Sequence, residues 1–480
     1  MMKTMVEQGT NALPLTELTA VTTLDGRYRE KTAELATFVS EFSLIRTRFE
    51  IEARYLLALS DARLIRKLTG TEKERLESFS TEIGLKEARS VKRIEKRIRH
   101  DVKSTERSFR DLVIGTSLED LTEIIHFGLT SEDVNNLAYR LMLERATSEI
   151  CIPVLDSLVD DLVDRADTYK EIPMLARTHG QAAVPTTVGK ELIVFATRLN
   201  KEVRKLDGQE LTGKLTGAVG NLNSLVFVYP KFDWQGFSQK FVESFGFVVN
   251  MTTTQINSYE DVIEYFQTYQ RINGILEDFA QDMWRYISDD WFVQEVKEGE
   301  VGSSTMTQKV NPIDFENAEG NLPLANGIFE VLSRKLAVSR LQRHLSDSTM
   351  IRNLGTALGY SLVAYKGLLD GIKRIRPNET KIEEDLNKDW SILGEAVQTL
   401  LRKTGVKDPF KLVAALTRGK HIDHEGWLEL VDKLPVDKDQ KAALRELTPQ
   451  TYTGLAEDIV EKAIIDIKSS RKDKNEKATG

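Results

Sequence analysis

Apolar residues recur at steps of three and four through long stretches of the chain. Between Glu191 and Asp207 the series is Leu192, Phe195, Leu199, Val203 and Leu206, and between Val262 and Ile287 it is Phe266, Tyr269, Ile272, Ile275, Phe279, Met283 and Tyr286. That spacing turns one face of a helix toward a core. Proline avoids the same regions. None of the 11 prolines falls between Pro14 and Pro153, between Pro230 and Pro312, or between Pro323 and Pro377. Proline breaks helix interiors, so each span has room for long helices. Alternating strand patterns bounded by Asn-Gly or Asp-Gly turns are nearly absent. The pattern predicts a mostly α chain with long central helices, in which aromatic and Met residues at helical spacing form core. No repeat of fixed period and no low-complexity block stands out. The charged, small-residue-rich segment from Lys468 to Gly480 predicts a frayed tail.

Composition narrows the class. The chain has 480 residues, 41% hydrophobic, 29% charged and 8% aromatic. At about 100–200 residues per domain it has length for several domains and a core needing no covalent staples. A lone cysteine, Cys151, excludes a disulfide framework and a multi-cysteine zinc site, and fits a reducing compartment. No apolar run reaches the roughly 18 residues of a membrane span. Met1 to Leu18 lacks the apolar core of a secretory signal. A cytoplasmic protein without a membrane partner is expected. Net charge is −8, from 66 Lys+Arg and 74 Asp+Glu. The local basic run of Lys92, Arg93, Lys96, Arg97 and Arg99 reads as a solvated helix face, so no nucleic-acid partner is expected.

Some chemistry is ruled out by detail. Gly208, Gly213 and Lys214 have P-loop spacing, but Leu215 stands where Ser or Thr must hold magnesium. His421 and His424 lack further ligands and read as a polar surface loop. No metal and no cofactor is expected. Three of the six histidines lie in compact polar segments: Arg99-His100-Asp101, His126 to Ser131, and Arg177 to Gln181. The segment Gly299 to Asn317 reads GEVGSSTMTQKVNPIDFEN. Its glycines permit unusual backbone angles, and Pro312 could open a helix. The segment predicts a mobile loop feeding a helix N-terminus, a place that favours anions.

This segment resembles the signature of the fumarase/aspartase superfamily, usually Gly-Ser-Ser-x-Met-Pro-x-Lys-x-Asn-Pro. Further segments resemble its long bacterial branch acting on succinylated purine nucleotides. They are LDGRY (Leu24–Tyr28), HDVK (His100–Lys103), HFGLTSEDVNN (His126–Asn136), RTHGQ (Arg177–Gln181), GAVGN (Gly217–Asn221), TTQI (Thr253–Ile256), DFEN (Asp314–Asn317) and SDSTMIRNLG (Ser346–Gly355). The resemblance implies an all-α homotetramer of three helical domains, at 1–120, 121–374 (a long central helical bundle) and 375–480. Each active site would draw segments from three subunits.

The implied reaction is β-elimination of fumarate from adenylosuccinate to give AMP, and from the related imidazole-carboxamide nucleotide SAICAR to give AICAR. Ser303 would be the base, and the family pattern selects it over Ser304. His179 would be the acid, held by Glu316. Lys309 and Asn311 would grip the succinyl carboxylates, near Thr130, Ser131 and Ser304. His100 and Asp101 would line the pocket, with His100 close to the chemistry, and Gln255 would hold the substrate. Arg27, Tyr28, Arg343, Ser348 and Arg352 would take the nucleotide, chiefly its phosphate. Other substrate contacts would fall at Arg99, Val310, Asn317, Thr349, Met350 and Ile351. On a regular helix Ser348 and Arg352 share a face, whereas Arg343 needs a helix start or bend between itself and Ser348.

The chain departs from the pattern in three places. Thr307-Gln308 replace Pro-x in the loop, Ala182 and Val184 alter the HGQ segment, and His344 follows Gln342-Arg343. None removes a proposed acid, base or charge. Another fumarate-releasing lyase, such as argininosuccinate lyase, and an inactive structural homologue remain as alternatives.

Overall fold

The computed structural model describes residues 13–296, 308–419 and 421–478, with residues 299, 302, 305 and 306 and without the side chains of 472–478. The fold is mostly helical. The two periodic segments form the helices Val188–Asp207 and Glu260–Ser288. Leu199, Val203, Leu206, Phe266, Tyr269, Ile272 and Met283 on them are completely shielded from solvent. Each buried large side chain of this kind stabilises by roughly 1.5–3 kcal/mol.

The chain divides into two compact units. The first comprises residues to 154, 205–273 and 321–366. Its core includes Phe49, Phe79 and Phe109, whose rings meet edge-on or tilted at centroid distances of 5.0–6.3 Å. The second comprises residues 155–204, 274–320 and 367 onward. One of its apolar clusters gathers Leu393, Val397, Leu401, Trp427 and Val431. Trp427 is wholly enclosed and donates its indole N–H to the carbonyl of Leu444 at 2.9 Å, the partner a buried indole needs.

Several local expectations differ from what forms. Three two-stranded sheets accompany the helices among the described residues. The longest is the antiparallel hairpin Pro173–Thr178 with Gln181–Thr187. Pro323 lies inside the helix Ile313–Leu336, so proline does not bound every helix here. The frayed tail is corrected as well. The helix Ala456–Ala478 runs through it. Arg471 ties that helix down, reaching Asn200 at 3.2 Å and pairing with Asp160. Lys, Glu and Ala, common in this segment, are strong helix formers. The basic run lies on the helix Leu85–Ile98, with Val91 and Ile94 buried and Lys92, Arg93, Lys96 and Arg97 exposed. Lys92 pairs with Glu41 at 3.0 Å and Glu95 at 2.6 Å, as on a solvated face.

Candidate active site

In the second unit, His179 sits at the tip of the hairpin. Thr178 pairs with Gln181, which leaves His179-Gly180 as a two-residue turn. Both have positive φ, 53° and 71°, as in the mirror-image turns that match strand twist. Glycine accepts that angle freely, and histidine is among the side chains that tolerate it. Arg177 braces the turn by donating to the Gly180 carbonyl at 3.2 Å. The imidazole is therefore held up on an exposed knuckle.

The signature segment belongs to the same unit. Ser303, Ser304 and Thr307 lie outside the described residues. Around them, Asn311 Nδ2 donates to the Gly302 carbonyl at 2.6 Å. Gly302 lies so close to the Lys309 carbonyl that a Cβ would come within 1.8 Å of that oxygen. Lys309 is exposed, and the Val310 carbonyl accepts from Gln294 at 3.2 Å. Pro312 immediately precedes the helix Ile313–Leu336, and its carbonyl accepts from the N–H groups of Phe315 and Glu316. Glu316 and Asn317 fall in the first turns. Glu316 accepts from Trp284 Nε1 at 3.1 Å. Within one chain no hydrogen bond joins Glu316 to His179 among the described residues.

The first unit holds the residues that the resemblance places on the nucleotide side. His100 caps the helix Asp101–Val113, its Nδ1 accepting from Lys103 N at 3.1 Å. Arg99 ends the preceding helix in the left-handed conformation. Asp101 Oδ2 receives both Arg48 and Arg352 at 2.7 Å. Burial opposes its charge, yet these two arginines hold its carboxyl well below the usual range. Arg352 also holds Glu41 at 2.8 Å. It follows the short helix Ser346–Ile351, which carries Ser348, Thr349, Met350 and Ile351. That helix starts between Arg343 and Ser348, supplying the break the spacing requires. Arg343 meets Glu132 at 2.9 Å, Gln255 at 3.4 Å and Asp347 at 3.8 Å. Gln255 donates in turn to the Ala218 carbonyl at 3.1 Å. Arg27 is exposed, and Tyr28 precedes the short helix Arg29–Thr32.

Several residues of the segment His126–Asn136 make contacts within the first unit. Thr130 N-caps the helix Ser131–Ala146 in a capping box with Asp133. The other oxygen of Asp133 accepts from Lys214 Nζ and Thr216 N at 3.0 Å and from Gly217 N at 3.1 Å. Lys214, the near-miss P-loop lysine, is thus a fully buried strut. His126 Nδ1 lies 2.5 Å from Glu52 Oε1.

Sequence reasoning passed over Arg48, Glu132 and Asn135. Their exposures are only 1%, 3% and 5%. Arg48 Nε donates to Asn135 Oδ1 at 2.9 Å, and Asn135 Nδ2 donates to Glu132 Oε1 at 2.9 Å. Glu132 and Asn135 stand in a quoted motif, which was the available signal. Arg48 is one of three arginines on the helix Glu41–Asp61, with Arg46 and Arg54, and its burial was not written in the local sequence.

Comparison with known proteins shows the family. Residues 27–324 match the lyase family model, and residues 339–453 match the adenylosuccinate lyase C-terminal model. The chain is 41% identical to adenylosuccinate lyase of Haemophilus influenzae over 454 residues, covering 94% of this chain and 100% of that protein. It is 41% identical to the Escherichia coli K12 enzyme over 448 residues (92% and 98% covered) and 40% to that of Dictyostelium discoideum over 463 residues (94% and 99%). Among solved structures, the fold resembles 3-carboxy-cis,cis-muconate lactonizing enzyme from Pseudomonas putida, with a TM-score of 0.73 at 17% identity over 92% of this chain and 97% of that one. With full-length likeness in sequence and both family models matched, the chain belongs to the adenylosuccinate lyase family.

Proposed function

We propose that the chain catalyses β-elimination of fumarate from adenylosuccinate, giving AMP, and from SAICAR, giving AICAR. The observation that carries the reading is the occurrence, in one chain of this family, of the serine pair with Lys309 and Asn311, the hairpin-tip His179, and the paired Arg343 and Arg352.

The chemistry explains the residue types. A proton must leave a carbon beside a carboxylate, which is a weak acid. The carbanion becomes tolerable as a doubly charged aci-carboxylate, so aimed donors and fixed positive charge must meet it. Lys309 and the N–H groups of the loop take that role. Ser303 takes the proton, which requires a dry, positive surrounding to favour its alkoxide. His179 protonates the leaving nitrogen, an effect typically worth about 10²–10⁴-fold. Glu316 orients the imidazole from another copy of the chain. Arg343 and Arg352 suit the nucleotide phosphate because guanidinium forks match its oxygens.

A homotetramer brings these groups together, and we place it in the cytoplasm. On the helix Ile313–Leu336, Leu324 and Val331 stand one heptad apart and are each 54% exposed, an apolar edge suited to another copy.

The direct test mixes purified full-length protein with adenylosuccinate and follows absorbance and fumarate, with argininosuccinate alongside. Turnover of adenylosuccinate alone is expected, falling steeply in Ser303→Ala and His179→Gln while the assembly persists. No turnover by well-folded protein, or preference for argininosuccinate, defeats the proposal. Near-normal turnover in either variant removes that residue from its role.

A further inference from the structure

Arg343 and Arg352 are joined by a continuous ribbon of side chains whose middle is buried. Arg343 Nη2 holds Glu132 Oε1 at 2.9 Å, and the same oxygen accepts from Asn135 Nδ2 at 2.9 Å. Asn135 Oδ1 accepts from Arg48 Nε at 2.9 Å. Arg48 Nη2 reaches Asp101 Oδ2 at 2.7 Å, and Arg352 Nη2 reaches that oxygen at 2.7 Å. Of the four residues between them, Arg48 comes from the helix Glu41–Asp61, Glu132 and Asn135 from Ser131–Ala146, and Asp101 opens Asp101–Val113. Arg48, Glu132 and Asn135 are buried, Asp101 is half-buried, and Arg352 is about one-third exposed, at 34%.

The donor and acceptor types force the order. Guanidinium only donates, and an ionised carboxylate only accepts. Between Arg48 and Glu132 the ribbon therefore needs one side chain that accepts on one side and donates on the other. The amide of Asn135 does this, and its orientation is fixed because turning it over breaks both bonds. Aspartate could still accept from Arg48 but would face Glu132 with a second carboxylate. Charge alternates along the ribbon: Arg343, Glu132, neutral Asn135, Arg48, Asp101, Arg352.

We propose that Asn135, with Glu132 and Arg48 on either side, is a positioning residue that fixes Arg343 and Arg352 in register for a single phosphate group. The inference deepens the proposed function and rests on its reading of these two arginines. A free arginine loses much rotamer freedom when it grips a ligand, so holding both beforehand strengthens binding without a new ligand contact. Burial raises the Glu132 carboxyl, with Arg343 pulling the other way, so this end of the ribbon depends on the arginine staying in place.

The test compares inhibition of turnover by AMP and by adenosine, whose ratio isolates the phosphate. In Arg343→Lys and Arg352→Lys the AMP preference is expected to fall, because lysine is a point charge without the fork. In Asn135→Leu, which removes no arginine, it is expected to fall about tenfold while adenosine inhibition stays put. A general structural defect would move both inhibitors together. Should Asn135→Leu fail to fold, Glu132→Leu is expected to lower the AMP preference and Glu132→Gln, which still accepts from both neighbours, to restore most of it. An unchanged preference in folded Asn135→Leu, or Glu132→Gln no better than Glu132→Leu, overturns the relay. An unchanged preference in the two arginine variants overturns instead the reading of those arginines.

Discussion

The side-chain amide of Asn311 donates to the backbone carbonyl of Gly302 at 2.6 Å, tying together two points nine residues apart in the signature loop. Gly302 has no room for a side chain, since a Cβ would meet the Lys309 carbonyl at 1.8 Å. The residue the sequence assigns to a substrate carboxylate is thus also a clasp within its own loop. Donating to a ligand with that same N–H requires the loop to rearrange.

Gly302→Ala is expected to cut kcat by about 100-fold, because misplacement by about 1 Å is enough for that loss. Steady-state kinetics and thermal melting together check it. The melting temperature should hold, since the described residues of the loop are mostly exposed and none is buried in a core. Asn311→Asp, which keeps the shape but loses the donor, should lower kcat too. Wild-type kcat in Gly302→Ala would show that the clasped arrangement plays no part in turnover.

Lys214→Met tests the buried strut. Lys214 and Asp133 are both completely shielded and 3.0 Å apart. Removing one partner of such a pair leaves a buried charge unmet, costing about 3–5 kcal/mol. Denaturant unfolding of the variant should therefore show a much lower midpoint. A loss below about 1 kcal/mol would mean that the backbone N–H groups of Thr216 and Gly217 satisfy Asp133 alone.

The helices at Val188–Asp207 and Glu260–Ser288 were legible because one-sided burial imposes a period that survives in sequence. The hairpin under His179 was not, because its turn is His-Gly rather than Asn-Gly, although the two meet the same positive-φ requirement. The side chains proposed for the chemistry were read through resemblance, as residue types in a motif. What they touch was not. Asn135 looked like part of a nucleotide motif, but its function as a bridge depends on Arg48, 87 positions away. Lys214 looked like a failed phosphate lysine because its partner, Asp133, comes from a helix far back in the chain. Long-range pairing of buried polar groups leaves no local periodicity to read.

His126 carries the last prediction. Its Nδ1 lies 2.5 Å from Glu52 Oε1, with the imidazole largely buried. Burial disfavours its charge, but Glu52, with smaller help from Glu106 and Asp133, outweighs that, and its pKa rises above the ordinary 6.5. A histidine raised in the folded state binds its proton more tightly there than in the unfolded chain. Its stabilisation is therefore fully present below about pH 6.5 and is lost as pH climbs through the higher folded value. His126→Gln keeps a neutral donor toward Glu52 and removes only the charge. The variant should be less stable than the parent by about 1 kcal/mol at about pH 5.5, with the gap shrinking toward about pH 9. Urea unfolding of both proteins at the two pH values measures this. A deficit that is constant or grows with pH would mean that the imidazole is not charged beside Glu52.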